Sequence, residues 1–277
     1  MFITLFHQTK KIRAPKNRYG INLIKKEKIE CAAFPVIITD MLRSEVLFTD
    51  HGEARFWGEN AIDKYLIDNY LKHITQGTYV ECGAANGFYQ SNTVILDYGY
   101  EWNGILVEPN PHNFETLKSH RYNVFTANCA LVSHEYKEEY IEGFFEGTVS
   151  PDAYGNHVVT AGEASEKEFN DMLSGQIKTN HNYDKKRFPT DEKLAEVAAK
   201  TLDFIFDASP FNEADFFSLD VEGYELEVLK GWSPEKYPIT YVLLEGGGRP
   251  GVTPYMEQNN YTLIEEIYGN SLFKKKS

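Results

Sequence analysis

The chain has 277 residues, 42% of them hydrophobic, and a formal net charge of −13 at pH 7, so it can bury a large core in one domain with an extension. The acidic balance argues against a nucleic-acid or anionic-membrane partner, because binding phosphate needs clustered lysine and arginine, and no apolar run reaches the ~18 residues of a membrane span. Three cysteines, Cys31, Cys82 and Cys129, are far apart and odd in number, which fits a reducing, cytoplasmic compartment better than a disulfide framework.

Residues 1 to about 30 are basic and lack periodicity; with no long apolar stretch they do not read as a signal peptide. Val36–Thr39 and Val46–Thr49, followed by Asp50-His51-Gly52, predict a small N-terminal hairpin. Asn60 to Ile74 has helical spacing, with Ile62, Leu66 and Tyr70 on one side, and Gly77 as a stop signal. These pieces form an N-terminal extension over 1–75, ahead of a main domain over 76–277.

The strongest signal starts at Thr78. Thr78-Tyr79-Val80 is β-forming, Glu81-Cys82 closes the run, and Gly83-Ala84-Ala85-Asn86-Gly87 carries no bulky side chain before the helical segment from Ser91. Strand, small-residue turn and helix are the first unit of a doubly wound α/β sheet, whose turn lies where nucleotides bind. Glycine lets the backbone come close to a ligand, and the helix points free N–H groups at it. A dinucleotide site would show G-x-G-x-x-G; here Gly83 and Gly87 flank Ala85, and Glu81 precedes them. A carboxylate repels a pyrophosphate but suits a ligand carrying an ammonium and a sulfonium. The turn therefore favours S-adenosylmethionine over NAD.

Gly104–Val107 is a second strand, ending in Glu108-Pro109-Asn110-Pro111, with Glu108 placed 21 positions after Gly87. An acidic side chain there can accept both ribose hydroxyls of an adenosine. A helix begins at Pro111. Asn123–Thr126 predicts a third strand, and Asn128 just beyond it could hold the adenine or a loop carbonyl. Glu138–Phe145 alternates as a strand does. The polar stretch 152–200, with weak helical character at 161–173 and 191–199, reads as an insertion that could recognise the substrate; its His157 and His181 are candidate bases.

Thr201–Phe206 is a short amphipathic segment. Asp215–Leu219 predicts a strand ending in Asp220, with Glu222, Gly223, Tyr224 and Glu225 next and a helix from Leu226. Carboxylates crowded at a strand's end must face solvent, a cation or an active site, and this edge is where such a sheet places its chemistry. Asp220 and Glu222 are thus candidate site residues, and Glu225 a charge at a helix N-terminus. Ile239–Leu244 is a further strand closed by Glu245. A short helix over 255–258 and a hairpin of 261–267 and 271–275 end the chain.

These motifs resemble the FkbM-type class I methyltransferases. The matching pieces are 81–87, 107–111, Asn128 with Ala130-Leu131, 201–203, 218–231, Leu244-Glu245 and 270–273. The Asp220-Val-Glu-Gly-Tyr-Glu225 run is the most specific. Departures are Glu81, where the family usually has Asp, and the long 152–200 segment. The resemblance implies a Rossmann-like seven-stranded sheet with an antiparallel last strand, S-adenosylmethionine as cofactor, and O-methylation of a sugar, glycan or small-molecule hydroxyl. Cofactor binding would fall to Glu81, Gly83, Ala85, Asn86, Gly87, Ser91, Glu108, Pro109, Asn110, Asn128 and Asp220. Catalysis would fall to Asp220, Glu222 and Tyr224, without a metal. Two alternatives are a metal-assisted O-methyltransferase using Asp220 and Glu245, and an adenosyl-binding protein without turnover.

Overall fold

The computed structural model describes residues 24–25, 47, 55–121, 124–144, 157–158, 195–246 and 250–276. A run of parallel strands, each buried on both sides, sets the architecture. They are β2 (Thr78–Cys82), β3 (Asn103–Val107), β4 (Phe125–Ala127), β9 (Ala214–Leu219) and β10 (Ile239–Glu245), joined by the closing hairpin β11 (Tyr261–Ile267) and β12 (Asn270–Lys275). The spatial order is β4-β3-β2-β9-β10-β12-β11, with the two-residue β1 (Ile24–Lys25) antiparallel outside β4. β4 to β10 run parallel, and β12 is antiparallel to both neighbours. This is the expected seven-stranded, doubly wound sheet with its last strand reversed.

The two-residue period of the strands divides the core. Val80, Ile105, Phe217, Val242 and Phe273 face one side, packed with Leu202, Ile205, Val228 and Met256. Those come from α4 (Leu202–Ala208), α5 (Glu225–Leu229) and α6 (Val252–Gln258). Tyr79, Leu106, Phe216, Leu243 and Leu272 face the other, packed with Ile62, Leu66, Ile95 and Leu117. Those come from α1 (Ile62–Leu66), α2 (Val94–Tyr98) and α3 (Pro111–His120). The helix predicted over 60–74 is in three pieces: a 3₁₀ turn over 59–61, α1, and a π-helical turn over 67–71.

Two expectations need correction. Of the segment 191–199, the described residues 195–199 are not helical, since Ala195–Lys200 forms strand β8. Its Ala-Glu-Val-Ala-Ala-Lys sequence alternates buried Val197 and Ala199 with the less buried Glu196, Ala198 and Lys200, and sheet neighbours outweigh alanine's helix propensity. β8 belongs to a second, four-stranded sheet, not expected from the sequence, in the order β5 (Ala130–Leu131), β8, β6 (Tyr140–Phe144), β7 (His157–Val158). Of the predicted N-terminal hairpin, Leu47 and 55–56 alone are described, and Leu47 has helical backbone. The weak helix at 161–173 and His181 lie outside the described residues.

β2 and β9 are neighbours, yet their following connections leave toward opposite ends of the sheet, which makes their C-terminal ends the switch point. The Asp220 N–H donates to the Cys82 carbonyl at 3.1 Å. A Cβ on Gly83, whose φ is +80°, would lie 1.7 Å from the Asp220 carbonyl oxygen. Gly269 has a similar φ of +87° with nothing within 4 Å. Gly269→Ala should therefore cost only left-handed strain, on the order of 1 kcal/mol, and Gly83→Ala ~3 kcal/mol or more. Urea titration of both variants checks this; equal losses would mean that the strand ends do not meet as described.

Candidate active site

The glycine turn follows from its small residues and positive φ angles. Gly83 and Ala84 both donate N–H groups to the Val107 carbonyl at 3.1 Å, tying the turn to β3. Ala85 has φ +44°, Gly87 +87° and Gln90 +51°. Ala85 and Gln90 pay for this with strain of order 1 kcal/mol each, so their surroundings must hold them. Asn86 supplies part of that hold, its side-chain oxygen accepting from the N–H groups of Phe88 (3.0 Å) and Tyr89 (2.8 Å).

Beneath the turn lies a buried ionic network. Glu81, on the α1–α3 face with Tyr79, is buried. One carboxylate oxygen accepts from the hydroxyls of Ser91 and Thr93, both at 2.7 Å, and the other from the Asn92 N–H at 2.9 Å. Arg121, 0% exposed, donates to Asp97 (2.8 Å), the Gly87 carbonyl (2.8 Å), the Tyr79 hydroxyl (2.7 Å) and Thr93 Oγ1 (3.0 Å). Burial alone would lower the guanidinium pKa, but Tyr79, Asp97 and Glu81 outweigh it and hold the group charged. Burial raises the Glu81 carboxyl above its ordinary value, opposed by Arg121 and the three hydrogen bonds. In this structure Glu81 and Ser91 thus contact the turn's own framework.

At the next strand end, Glu108 is 2% exposed. Its two oxygens accept from the N–H groups of Ala85 (2.8 Å) and Asn110 (2.9 Å). The Asn128 side chain donates to the carbonyls of Glu108 (2.8 Å) and Pro109 (2.9 Å), so of its two expected tasks the loop-carbonyl one is seen. Asn110 caps α3, accepting from His112 and Asn113, with Pro111 in the first turn as its fixed φ favours. Burial pushes the Glu108 carboxyl up to about 7, against the lowering pull of the Asn110 and Ala85 N–H groups.

Across the switch point, Asp220 is exposed by area yet closely surrounded by protein, as in a recess. Its carboxyl is held well above the usual range by the enclosing protein and by Glu245 and Glu222, and it shares a hydrogen bond with Glu245. Glu222 has φ +56° and Gly223 +112°, which sharply reverses the chain. The buried Glu225 carboxylate fixes that reversal, accepting from the N–H groups of Val221 (3.3 Å) and Gly223 (3.0 Å). Tyr224 packs both on the main core and on the Ala130, Val132, Ile141, Val197 and Ala199 cluster of the second sheet. His157 lies on β7 of that sheet.

The structure thus brings 81–91, Glu108–Asn110 and Asp220 to one edge around the β2–β9 switch point. Sequence reasoning missed Arg121, Asn92 and Thr93. Asn92 Nδ2 donates to Ser218 Oγ at 3.0 Å, tying the turn to β9. A lone arginine after a helix reads as a solvated C-terminal charge, and nothing local distinguishes Arg121. Among the described residues no three His, Cys, Asp or Glu are grouped to hold a metal ion, and no helix is long and apolar enough to cross a membrane. S-adenosylmethionine fits this donor set: small residues line the turn, carboxylates end β3 and β9, and Arg121 directs its donors at protein acceptors rather than at a phosphate.

Arg121→Met should lower stability by ~3–5 kcal/mol, because it leaves Asp97 and Glu81 buried without their cation. Tyr79→Phe removes one neutral partner and should cost ~1 kcal/mol. Chemical denaturation checks both; a loss below ~1 kcal/mol for Arg121→Met would show that the network does not hold the turn.

The profile of the methyltransferase FkbM domain matches residues 81–261, which spans the glycine turn, Glu108, Arg121 and Asp220. No curated protein sequence matches the chain. Among solved structures, it is similar to a TehB-like SAM-dependent methyltransferase from Corynebacterium glutamicum, at 9% identity and a TM-score of 0.37, covering 87% of this chain and 100% of that one. It is also similar to a human methyltransferase 10 domain containing protein, at 10% identity and a TM-score of 0.37, covering 88% and 99%. These are weak likenesses, and the topology stands on the strand pairings. The profile match covers well over half of the sequence, and the chain therefore belongs to the FkbM methyltransferase family, enzymes whose methyl donor is S-adenosylmethionine.

Proposed function

We propose that the protein methylates a hydroxyl of a sugar, glycan or small molecule at the recess around Asp220. The observation that carries this reading is the position of Asp220. Its carboxyl ends β9 at the switch point, is reached by solvent, and is kept basic by Glu245 and Glu222. When bound, S-adenosylmethionine supplies an electrophilic methyl group. The chain's residues supply binding, orientation and proton handling, and positioning is a large share of such catalysis.

In this reading Gly83, Ala85 and Gly87 let the backbone line the donor, with Glu81, Asn86 and Ser91 fixing their conformation. Glu108 accepts the ribose hydroxyls, while Pro109, Asn110 and Asn128 set its loop. Asp220, ionised, takes the proton from the acceptor hydroxyl. Glu222 raises its basicity, and Tyr224 lines the acceptor side. The second sheet supports an acceptor site there, since it packs on Tyr224 and joins strands before the 152–200 insertion to two strands within it. The net charge of −13 disfavours a nucleic-acid acceptor. The free, buried Cys82 and Cys129 suit a reducing, cytoplasmic setting. A second reading, in which Asp220 and Glu245 hold Mg²⁺, is favoured by their contact; activity surviving EDTA would remove it.

Glu108 gives a signed pH dependence. Its pKa of about 7 exceeds the ordinary value of 4.5, so its protonated form favours the folded state. That contribution is complete below pH ~4.5 and disappears as pH rises through ~7. Accepting ribose hydroxyls requires the ionised form. Affinity for S-adenosylmethionine, measured by calorimetry, should therefore rise between pH 6 and 8, and Glu108→Gln should flatten the profile. Binding of NAD but not S-adenosylmethionine would overturn the reading.

Asp220→Asn should leave the donor affinity within a few fold and lower turnover ~10²–10⁴-fold. Mass spectrometry of a methyl-sized gain on candidate glycans and small alcohols would read this. Unchanged turnover would remove Asp220 as the base.

A further inference from the structure

The outer surface of the donor turn is covered by residues that precede the stretch matched by the family profile. Trp57 stacks on Phe88 of the turn, with ring centroids 5.0 Å apart and planes 22° apart. On its other side Phe88 stacks on His120, at 4.5 Å and 23°. His120 Nδ1 lies 2.8 Å from the Asn86 carbonyl; a carbonyl only accepts, so Nδ1 carries the hydrogen. Gly58 forms a parallel bridge with Gln90, a left-handed non-glycine residue of the turn. The Trp57 N–H donates to Asp63 at 2.7 Å, anchoring the segment to α1. Phe88 and Trp57 also pack with Val94 and Tyr98. The strained turn is therefore held twice, by polar groups beneath and by an aromatic stack outside.

We propose that the segment 55–58 is a positioning element for the methyl donor, with Trp57 setting the population of the binding-competent turn. The inference rests on the reading that the donor binds at 83–91. The physical reason is that Ala85 and Gln90 do not choose positive φ unaided. Removing the ring that clamps Phe88 frees the turn to relax. A donor that binds the ordered turn alone then loses apparent affinity by the fraction of molecules left ordered. Trp57 touches no reacting atom in this account; it acts through Phe88.

The test titrates S-adenosylmethionine into the full chain and into Trp57→Ala and Trp57→Phe. The aromatic pair's worth corresponds to a roughly tenfold weaker dissociation constant for Trp57→Ala, with Trp57→Phe restoring most of the loss. A second readout is fluorescence. The chain has three tryptophans; Trp102 and Trp232 are 3% and 2% exposed, whereas Trp57 is half-buried. Iodide should quench Trp57, and saturating donor should reduce that quenching in the wild type but not in Trp57→Ala. If Trp57→Ala does not fold, Trp57→Leu, which keeps an apolar side chain without a stacking ring, replaces it and should show the same weakening. If the wild type binds and Trp57→Ala or Trp57→Leu binds equally well, this inference is overturned while the proposed function stands. If the wild type fails to bind, both fall.

Discussion

The site depends on burying one guanidinium. Arg121 lies beneath the glycine turn with no exposure, and its donors reach the Gly87 carbonyl, Tyr79, Thr93 and Asp97. A buried ionic group is weak evidence for stability, because desolvation offsets most of the attraction. What it supplies here is a single arrangement: the turn cannot open without leaving Arg121, Asp97 and Glu81 charged in an apolar layer. Gly87 shows how tightly this is packed, since a Cβ there would lie 2.9 Å from Arg121 Cγ. The glycine is needed for the cation under it as much as for any ligand above it.

The acidic residues that the sequence presents alike are sorted by what surrounds them. Glu81 and Glu225 are buried where N–H and O–H donors converge, and each organises a turn: Glu81 the one after β2, Glu225 the one after β9. Glu108 is buried with two N–H donors, and burial dominates. Asp220 is crowded by other carboxyls. A carboxylate met by several donors anchors its turn, whereas burial at Glu108, and enclosing protein with neighbouring carboxyls at Asp220, push those groups above their ordinary range, the kind of group that can change state during a reaction.

The strands and the candidate site edge were legible because they rest on local signals. Continuous apolar runs ending in Glu81, Glu108, Asp220 and Glu245 read as parallel strands buried on both faces, and the glycines at 83, 87 and 223 mark their turns. What was not legible depends on distant partners. Arg121 finds its acceptors on β2, in the turn and on α2. β8 was read as helical because alanine and glutamate favour helices locally, but its pairing with β5 and β6 decides the outcome. The second sheet joins 130–131 to 195–200 across the insertion, a contact that periodicity cannot announce.

That second sheet also bears on why an insertion can be long without disturbing the fold. Its two flanks are clamped to each other by parallel pairing of β5 with β8 and by antiparallel pairing of β6 with β8. Val132 donates its N–H to the Lys200 carbonyl at 2.9 Å. A Cβ on Gly231 would lie 2.1 Å from the Val132 carbonyl oxygen, so the end of α5 is pressed against the root of the insertion. Closing a loop costs entropy that grows only slowly with length once its ends are joined. The sheet keeps the base of the segment against Tyr224, and Ala198 of β8 packs on the main core. The pairing of β5, β6 and β8 thus carries a mechanical connection from the described ends of the insertion to the turn after Asp220, through Tyr224.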